Sequence, residues 1–250
     1  MFVWRDFVST YKQTILGPLW FILQPLLTTI IFVFVFGNFA GLSTDGLPKF
    51  LFYLAGVTIW NYFSECFNRT SNVFTANAGL YGKVYFPRLI IPLSIITANL
   101  VKFFIQFILF LFVLFYFKMN SGMVSGPNAY VLLTPVLLIM MAGFALGGGL
   151  LISAMTNKYR DLVQLISFGI QLLMYVTPVI YPVNSLSAQH QKLALLNPLA
   201  HVIEAFRFSW TGTGYFSWEG LLYSSICMIV LVITGIILFN KVESTFLDNV

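Results

Sequence analysis

The ionisable residues with a potential for chemistry are few, and they lie in apolar stretches. Glu65 and Arg69 stand four residues apart, which is one helical turn, and Lys102 lies in a later apolar run. Charged groups inside a membrane-spanning segment are costly, so they are candidates for a functional site. The spacing of Glu65 and Arg69 favours a structural ion pair on one helix face. Lys102 could extend its ammonium group to the membrane interface.

Motifs for catalysis and nucleotide binding are absent from the sequence. It contains no G-x-x-x-x-G-K-[ST] phosphate loop and no G-x-S-x-G nucleophile elbow, and its acidic residues are isolated. The two cysteines, Cys66 and Cys227, and the two histidines, His190 and His201, lack the spacing of metal ligands. We therefore expect no enzyme activity, metal or cofactor in this chain. A membrane-embedded sugar transferase would show clustered Asp, Glu or His at the bilayer surface.

Polar and aromatic side chains recur at helical spacing. Two polar faces are formed by Asn99, Lys102 and Gln106 and by Gln164, Gln171 and Tyr175. Either face could line a hydrated path or bond a neighbouring helix. Aromatic residues make up 18% of the chain, and such rings can stack on sugars, face lipid or anchor at an interface. The pattern alone leaves these alternatives open.

The elements that must position these residues are transmembrane helices. Hydrophobic residues make up 59% of the 250 residues and charged residues only 8%, which indicates a single membrane domain over residues 1–250. A helical span needs about 20 apolar residues. We predict spans near 19–38, 50–75, 90–117, 129–155, 162–183 and 219–240.

The basic residues indicate the orientation of these spans. Seven of them fall on the side that holds both termini and four on the opposite side, and Arg5 and Lys12 precede the first span. The positive-inside tendency therefore places both termini in the cytoplasm. The first apolar run is too long for a secretory signal, so we expect it to be retained. The net charge of +5 fits topology better than nucleic-acid binding.

The outer loop between spans five and six carries signals of a short helix. Asn197 is a preferred N-cap residue, and Pro198 would occupy the first helical position. Glu204 and Arg207 can pair three residues apart, and glycines follow at 212 and 214. We expect an amphipathic hairpin that dips into the outer leaflet, either as a gate or as packing on the bundle surface.

Two cytoplasmic loops are short, basic and aromatic. The sequences are YGKVYFPR at 81–88 and NKYRD at 157–161. Such loops could dock into a partner's groove or anchor in lipid headgroups, and the residue types alone do not decide between the two.

Four regions together resemble the membrane subunit of type-2 ABC exporters, closest to the Wzm-type permeases for O-antigen polysaccharide. They are YKQTILGPLWFILQPL at 11–26, KVYFPRLIIPLS at 83–94, NKYRD at 157–161 with YVTPVIYP at 175–182, and NPLAHVIEAFR at 197–207. Their order and spacing extend over nearly the whole chain.

The resemblance implies a role for each region. Residues 1–17 would form an interfacial helix carrying Trp4, Arg5, Tyr11 and Lys12. Residues 78–88 would be the main coupling loop to an ATPase, with contacts from Tyr81, Lys83, Tyr85, Phe86, Pro87 and Arg88. Residues 156–161 would be the minor loop, with contacts from Lys158, Tyr159, Arg160 and Asp161. Residues 184–218 would form the outer gate hairpin, with Asn197, Pro198, Glu204 and Arg207. The polymer path would be lined by Phe32, Phe36, Tyr53, Trp60, Phe63, Gln171, Tyr175 and Tyr181.

The predicted fold is all-α and integral to the membrane, with six transmembrane helices, an interfacial helix and short outer re-entrant gate helices. The resemblance implies a homodimer with two ATPase subunits, which would carry ATP and Mg. This complex of two membrane subunits and two ATPase subunits would export lipid-linked O-antigen or a similar polysaccharide across the bacterial inner membrane to the periplasm. The alternatives are an exporter of teichoic acid, another glycan or a hydrophobic drug, and an ion-coupled carrier using Glu65, Arg69 and Lys102.

Overall fold

The structure is a computed structural model that describes residues 17–76, 89–122, 124–156 and 162–247. The described part of the chain is helical and contains no β-strand. Its main helices are α1 (Trp20–Phe32), α2 (Lys49–Ser71), α3 (Ile90–Ser121), α4 (Thr134–Thr156), α5 (Leu162–Val176), α6 (Ala188–Leu196), α7 (Pro198–Thr211) and α8 (Trp218–Leu247). The prediction of an all-α fold is confirmed.

Helix α2 forms the centre of the bundle. Every residue from 51 to 60 is buried, and the helix packs against α1, α3 and α4. Thr58 donates its hydroxyl hydrogen bond to the Leu54 carbonyl one turn earlier at 2.7 Å, so its polar group is satisfied within the helix. Protein surrounds most of this helix, so its polar residues need not face lipid.

Small residues bring α4 and α8 close together. A β-carbon at Gly147 would lie 2.6 Å from the Val232 backbone nitrogen, and one at Gly235 would lie 2.4 Å from the Gly147 carbonyl oxygen. Both distances are shorter than van der Waals contact, so only glycine fits at this crossing. Such small residues let transmembrane helices pack backbone against backbone.

Within the described residues, four helical segments are long and apolar enough to cross a bilayer. They are Trp20–Phe39, Ile90–Asn120, Ala129–Thr156 and Trp218–Lys241. The first joins α1 to a π-helical turn at Val33–Phe39, and the third joins α4 to a preceding 3-10 turn at Ala129–Leu133. All four coincide with predicted spans.

The other two predicted spans also coincide with helices, α2 and α5. Helix α2 has 23 residues, which correspond to about 34 Å, but it is less apolar. Helix α5 has 15 residues, or about 22 Å, which is short of a typical hydrocarbon thickness of about 30 Å. The count of six spans therefore stays a prediction.

Candidate functional site

Helix α7 begins as its sequence predicts. The Asn197 side-chain oxygen accepts a hydrogen bond from the Leu199 backbone at 3.1 Å, and Pro198 occupies the first turn. The Asn197 amide also donates to the Thr177 hydroxyl at 2.9 Å. The cap of α7 is thus tied to the turn that follows α5. The helix ends at Gly212, whose φ of 77° is left-handed, as the glycine signal indicated.

A buried ion pair fastens α7 to the rest of the bundle. Arg207 Nη1 lies 2.6 Å from Glu204 Oε1, and the two side chains are 1% and 0% exposed. The second guanidinium nitrogen of Arg207 donates to the Pro178 carbonyl at 2.9 Å and to the Val179 carbonyl at 3.3 Å. Glu204 Oε2 accepts a hydrogen bond from the Tyr215 backbone at 2.9 Å. Both charges are therefore compensated inside the protein.

The burial of α7 differs from the predicted amphipathic pattern. Residues 199–207 are all buried, so protein rather than lipid or solvent covers the helix on every side. The reason is that α2, α4 and α8 pack around it, and its polar side chains have partners on α4, α6 and the adjoining loops. His201 Nε2, for example, lies 3.0 Å from the Leu195 carbonyl, and Gly220 packs against the same ring. Burial lowers the pKa of the His201 imidazole, with the hydrogen bond to Leu195 acting in the opposite direction.

The aromatic residues predicted to line a path divide into two groups. Tyr53, Trp60 and Phe63 are buried in the core of the protomer, at 0, 2 and 3% exposure. Tyr175 is 46% exposed, and Gln171 is exposed one turn before it on α5.

Ring contacts connect the buried group to the exposed one. The Phe32 ring lies 6.1 Å from Tyr53 and 5.5 Å from Phe36, and the Phe36 ring lies 6.4 Å from Tyr175. Tyr181 is partly buried and donates its hydroxyl hydrogen bond to the Val176 carbonyl. A continuous row of rings thus leads from α2 across α1 to α5.

The three charged residues that the sequence singled out, Glu65, Arg69 and Lys102, come together. Glu65 Oε1 lies 2.9 Å from Arg69 Nε and 2.7 Å from Lys102 Nζ. The predicted Glu65–Arg69 pair is confirmed. Lys102 bonds to Glu65 on the neighbouring helix instead of extending alone to an interface.

The predicted interfacial helix and both predicted cytoplasmic loops lie outside the described residues, apart from their borders. This applies to the interfacial residues Trp4, Arg5, Tyr11 and Lys12. It also applies to the ATPase-coupling residues Tyr81, Lys83, Tyr85, Phe86, Pro87, Arg88, Lys158, Tyr159, Arg160 and Asp161. Their roles stay predictions.

Two anchors of the outer helices were not found from the sequence. Phe52 places its ring centre 3.9 Å from the Arg207 guanidinium carbon, and Thr177 accepts the hydrogen bond from Asn197. Phe52 is one of many aromatic residues, and Thr177 stands 20 residues before its partner. No local spacing could have paired either residue with α7.

The long apolar helices and the buried helical core define a multi-pass integral membrane protein. The sequence allows a closer assignment: the chain belongs to the ABC-2 type transporter family, whose model matches residues 1–210. The resemblance to the membrane subunits of type-2 ABC exporters is confirmed.

Relatives within this family match nearly the whole chain. The O-antigen export system permease protein RfbA of Klebsiella pneumoniae is 28% identical over 245 residues, which cover 98% of this chain and 91% of the relative. The polysialic acid transport protein KpsM of Escherichia coli is 26% identical, with 98% and 93% covered. The capsule polysaccharide export inner-membrane protein CtrC of Neisseria meningitidis serogroup A is 25% identical, with 93% and 86% covered.

Proposed function

We propose that this chain is the channel-forming subunit of an ATP-driven exporter that moves lipid-linked O-antigen or a similar polysaccharide from the cytoplasm to the periplasm. The similarity to RfbA over 98% of the chain carries this proposal, because that relative is named as an O-antigen export permease. The relatives named for polysialic acid and capsule polysaccharide transport favour the same class of cargo. The bacterial inner membrane is the corresponding location.

The energy for export would come from a separate ATPase subunit. The sequence has no phosphate-binding loop of its own, whereas ABC-type transport requires ATP hydrolysis. Two copies of the chain would associate with two ATPase subunits, which would bind ATP and Mg. The loops at 78–88 and 156–161 supply the basic and aromatic residues expected of the contact.

If α2 and α5 also cross the bilayer, the chain has six spans and both termini lie on the same side. The distribution of basic residues assigns that side to the cytoplasm. Helix α2 is long enough and is shielded by α1, α3 and α4, so its polar residues need not face lipid. Helix α5 is extended toward the outer side by the buried turn at Thr177–Ile180. This arrangement places α6 and α7 on the periplasmic side.

The exposed face of α5 is the proposed path surface. Gln164, Gln171 and Tyr175 are exposed along this helix, and exposed amides are unfavourable against lipid tails. A hydrated path, or a second copy of the chain across it, would satisfy them. Phe36 and Tyr181 extend this surface, while Phe32, Tyr53, Trp60 and Phe63 support it from behind.

The outer helices are the proposed gate. Asn197 and Arg207 both bond to the turn after α5, at Thr177 and at the carbonyls of Pro178 and Val179. A displacement of α5 would therefore be transmitted directly to α7. Pairing with Glu204 keeps Arg207 in place while this happens.

The experiment that tests the proposal is deletion of the gene, followed by analysis of surface polysaccharide and of drug sensitivity. Loss of O-antigen or capsule, with lipid-linked polymer accumulating inside, is the expected result. Loss of teichoic acid or altered drug sensitivity would favour the corresponding exporter. Affinity purification should recover a Walker-motif ATPase in near-stoichiometric amount, and its reproducible absence would favour an ion-coupled carrier.

A further inference from the structure

A polar cavity lies between α1, α2 and α3, apart from the proposed path on α5. Its volume is about 300 Å³. Its polar lining comes from Gln24, Asn61, Ser64, Glu65, Asn99, Lys102 and Gln106. Three separate helices thus direct amides and an ion pair into one space inside an apolar bundle. Such groups are expensive in a membrane unless they have polar partners.

The charges beside the cavity do not balance. Lys102 and Arg69 both bond to the same oxygen of Glu65, so two cations share one carboxylate. The described part of α1, α2 and α3 around this cluster therefore carries one excess positive charge. Arg69 uses only Nε in this contact and its side chain is 33% exposed. Its two terminal nitrogens have no hydrogen bond among the described residues, and a guanidinium matches the paired oxygens of a phosphate.

A buried amide in the cavity has little hydrogen bonding. Asn99 is only 2% exposed, and neither its side-chain oxygen nor its nitrogen has an oxygen or nitrogen partner among the described residues. Its side chain does interact with the Cys66 thiol, which is a weak hydrogen-bonding group. Buried polar groups are normally satisfied by protein, water or ligand. Asn61 and Gln106 bond each other weakly, at 3.4 Å, and can still accept or donate. The cavity thus offers both donors and acceptors, the combination that hydroxyl groups require.

The position of the cavity fits a lipid headgroup. Arg69 lies two residues before the end of α2 and Glu65 lies six residues before it, or about 3 Å and 9 Å along the axis. Trp20 lies at the rim, is 47% exposed and starts α1. A tryptophan at a helix end is typical of the membrane interface. The cluster therefore lies near the end of α2 and the start of α1, and we expect this end of the bundle to lie where the headgroup region meets the acyl chains.

We propose that this cavity binds a phosphorylated lipid whose headgroup carries hydroxyl groups. The phosphate would contact Arg69 and Lys102, and the hydroxyls would bond the amides of Asn61, Asn99 and Gln106. The acyl chains would lie along the exposed apolar faces of α1 and α3. The cavity is formed by three helices of one chain, so this proposal does not depend on which cargo the exporter carries.

Lipid retention by the intact complex tests the site. The chain is purified with its co-purifying subunits, exchanged into micelles containing phosphatidylglycerol or phosphatidylcholine, and examined by native mass spectrometry. We expect selective retention of phosphatidylglycerol. Lys102→Met should lower its retention about tenfold, the loss of one charge-assisted contact, whereas Lys102→Arg should preserve it. The matched control is Lys118→Met, an exposed lysine near the other end of α3.

Two further variants keep the test decisive if Lys102→Met fails to fold. Asn99→Leu removes an amide that would bond the hydroxyl groups of the lipid, and it leaves the Glu65, Arg69 and Lys102 contacts in place. It should therefore reduce the preference for phosphatidylglycerol over phosphatidylcholine. Glu65→Gln frees both cations and should increase retention, whereas a purely structural ion pair predicts no gain. Equal retention of both lipids, or retention unaffected by Lys102→Met and Asn99→Leu, overturns the proposal. Displacement of the lipid by inorganic phosphate alone would identify a free-phosphate site and overturn the lipid assignment.

Discussion

Arg207 holds its guanidinium carbon 3.9 Å from the centre of the Phe52 ring. This contact joins α7 to α2, the central helix of the bundle, and it shields one face of a cation that is only 1% exposed. The other sides of the cation meet Glu204 and the carbonyls of Pro178 and Val179. One side chain therefore unites the outer helices, the turn after α5 and the core.

Removing Arg207 should destabilise the protein strongly. Arg207→Met leaves the Glu204 carboxylate buried without its cation, and breaking such a buried pair typically costs about 3–5 kcal/mol. The free energy of unfolding can be measured by denaturant titration of tryptophan fluorescence in mixed micelles.

The double variant Glu204→Gln with Arg207→Met is the control for this prediction. It removes both charges, so it should recover a substantial part of the lost stability. If Arg207→Met alone is as stable as the double variant, the two side chains do not form the ion pair that stabilises α7.

Local sequence signals were sufficient for part of this architecture. The N-cap at Asn197, the proline at the first turn of α7 and the Glu204–Arg207 spacing each depend on neighbours within a few residues, and all three are present in the structure. The apolar runs likewise located six helices, because length and hydropathy are local properties. The family resemblance added the exporter class, which no composition argument could supply.

Contacts between distant segments could not be obtained in the same way. Lys102 meets Glu65 across 37 positions, and Arg207 meets Phe52 across a far longer interval. Burial was misjudged for α7 because its helical periodicity suggested one face exposed to water, whereas α2, α4 and α8 together surround the helix. The family resemblance also placed Trp60 and Tyr175 together on one predicted path, although of these two only Tyr175 is exposed. Such facts depend on how helices pack, which a single sequence does not specify.

The glycine crossing of α4 and α8 should tolerate no side chain. Gly147→Ala would place a β-carbon 2.6 Å from the Val232 nitrogen and 2.7 Å from the Leu231 carbonyl oxygen. Because these atoms belong to the backbone, α8 must move, with an expected loss of about 1–3 kcal/mol. Gly169→Ala on α5 is the control, since no atom lies within 4 Å of its β-carbon position. Equal stability of the two variants in the micelle assay would contradict the close crossing.

Acidification should destabilise the fold through His201. Burial lowers the folded-state pKa of this imidazole below the ordinary value of about 6.5, so the unfolded chain binds the proton more readily. The neutral form's contribution to stability is complete above about pH 6.5 and is lost as the pH falls through the lowered folded-state pKa. The measurement is the melting temperature in micelles from about pH 7.5 to pH 5.

His201→Gln provides the comparison for the acid effect. Glutamine can donate a hydrogen bond to the Leu195 carbonyl but does not titrate in this range. The decline of the melting temperature on acidification should therefore be smaller in this variant than in the unmodified chain. Identical pH dependence in the two proteins would show that His201 makes no contribution to it.

Charge reversal at Arg88 should uncouple ATP hydrolysis from export. The residue belongs to the loop that we propose docks on the ATPase, and Arg88→Glu changes that contact without altering the helical core. Export and ATP hydrolysis are measured on the purified complex in liposomes. Lys192→Glu, on the exposed surface of α6, serves as the matched charge reversal. Undiminished export by Arg88→Glu would rule out the docking role.

Tyr175 and Trp60 should respond differently to truncation, because one is exposed and the other is buried. Tyr175→Ala removes a ring that is 46% exposed on the proposed path, so export per folded complex should decrease while ATP hydrolysis continues. Trp60→Ala opens a cavity around a side chain that is 2% exposed and should cost about 3–5 kcal/mol of stability. Total export by Trp60→Ala should then decrease only as far as the amount of folded complex decreases, so export per folded complex should stay unchanged. Normal export by Tyr175→Ala would mean that this ring faces lipid or a subunit contact, and the polymer path would have to be sought on another face of α5.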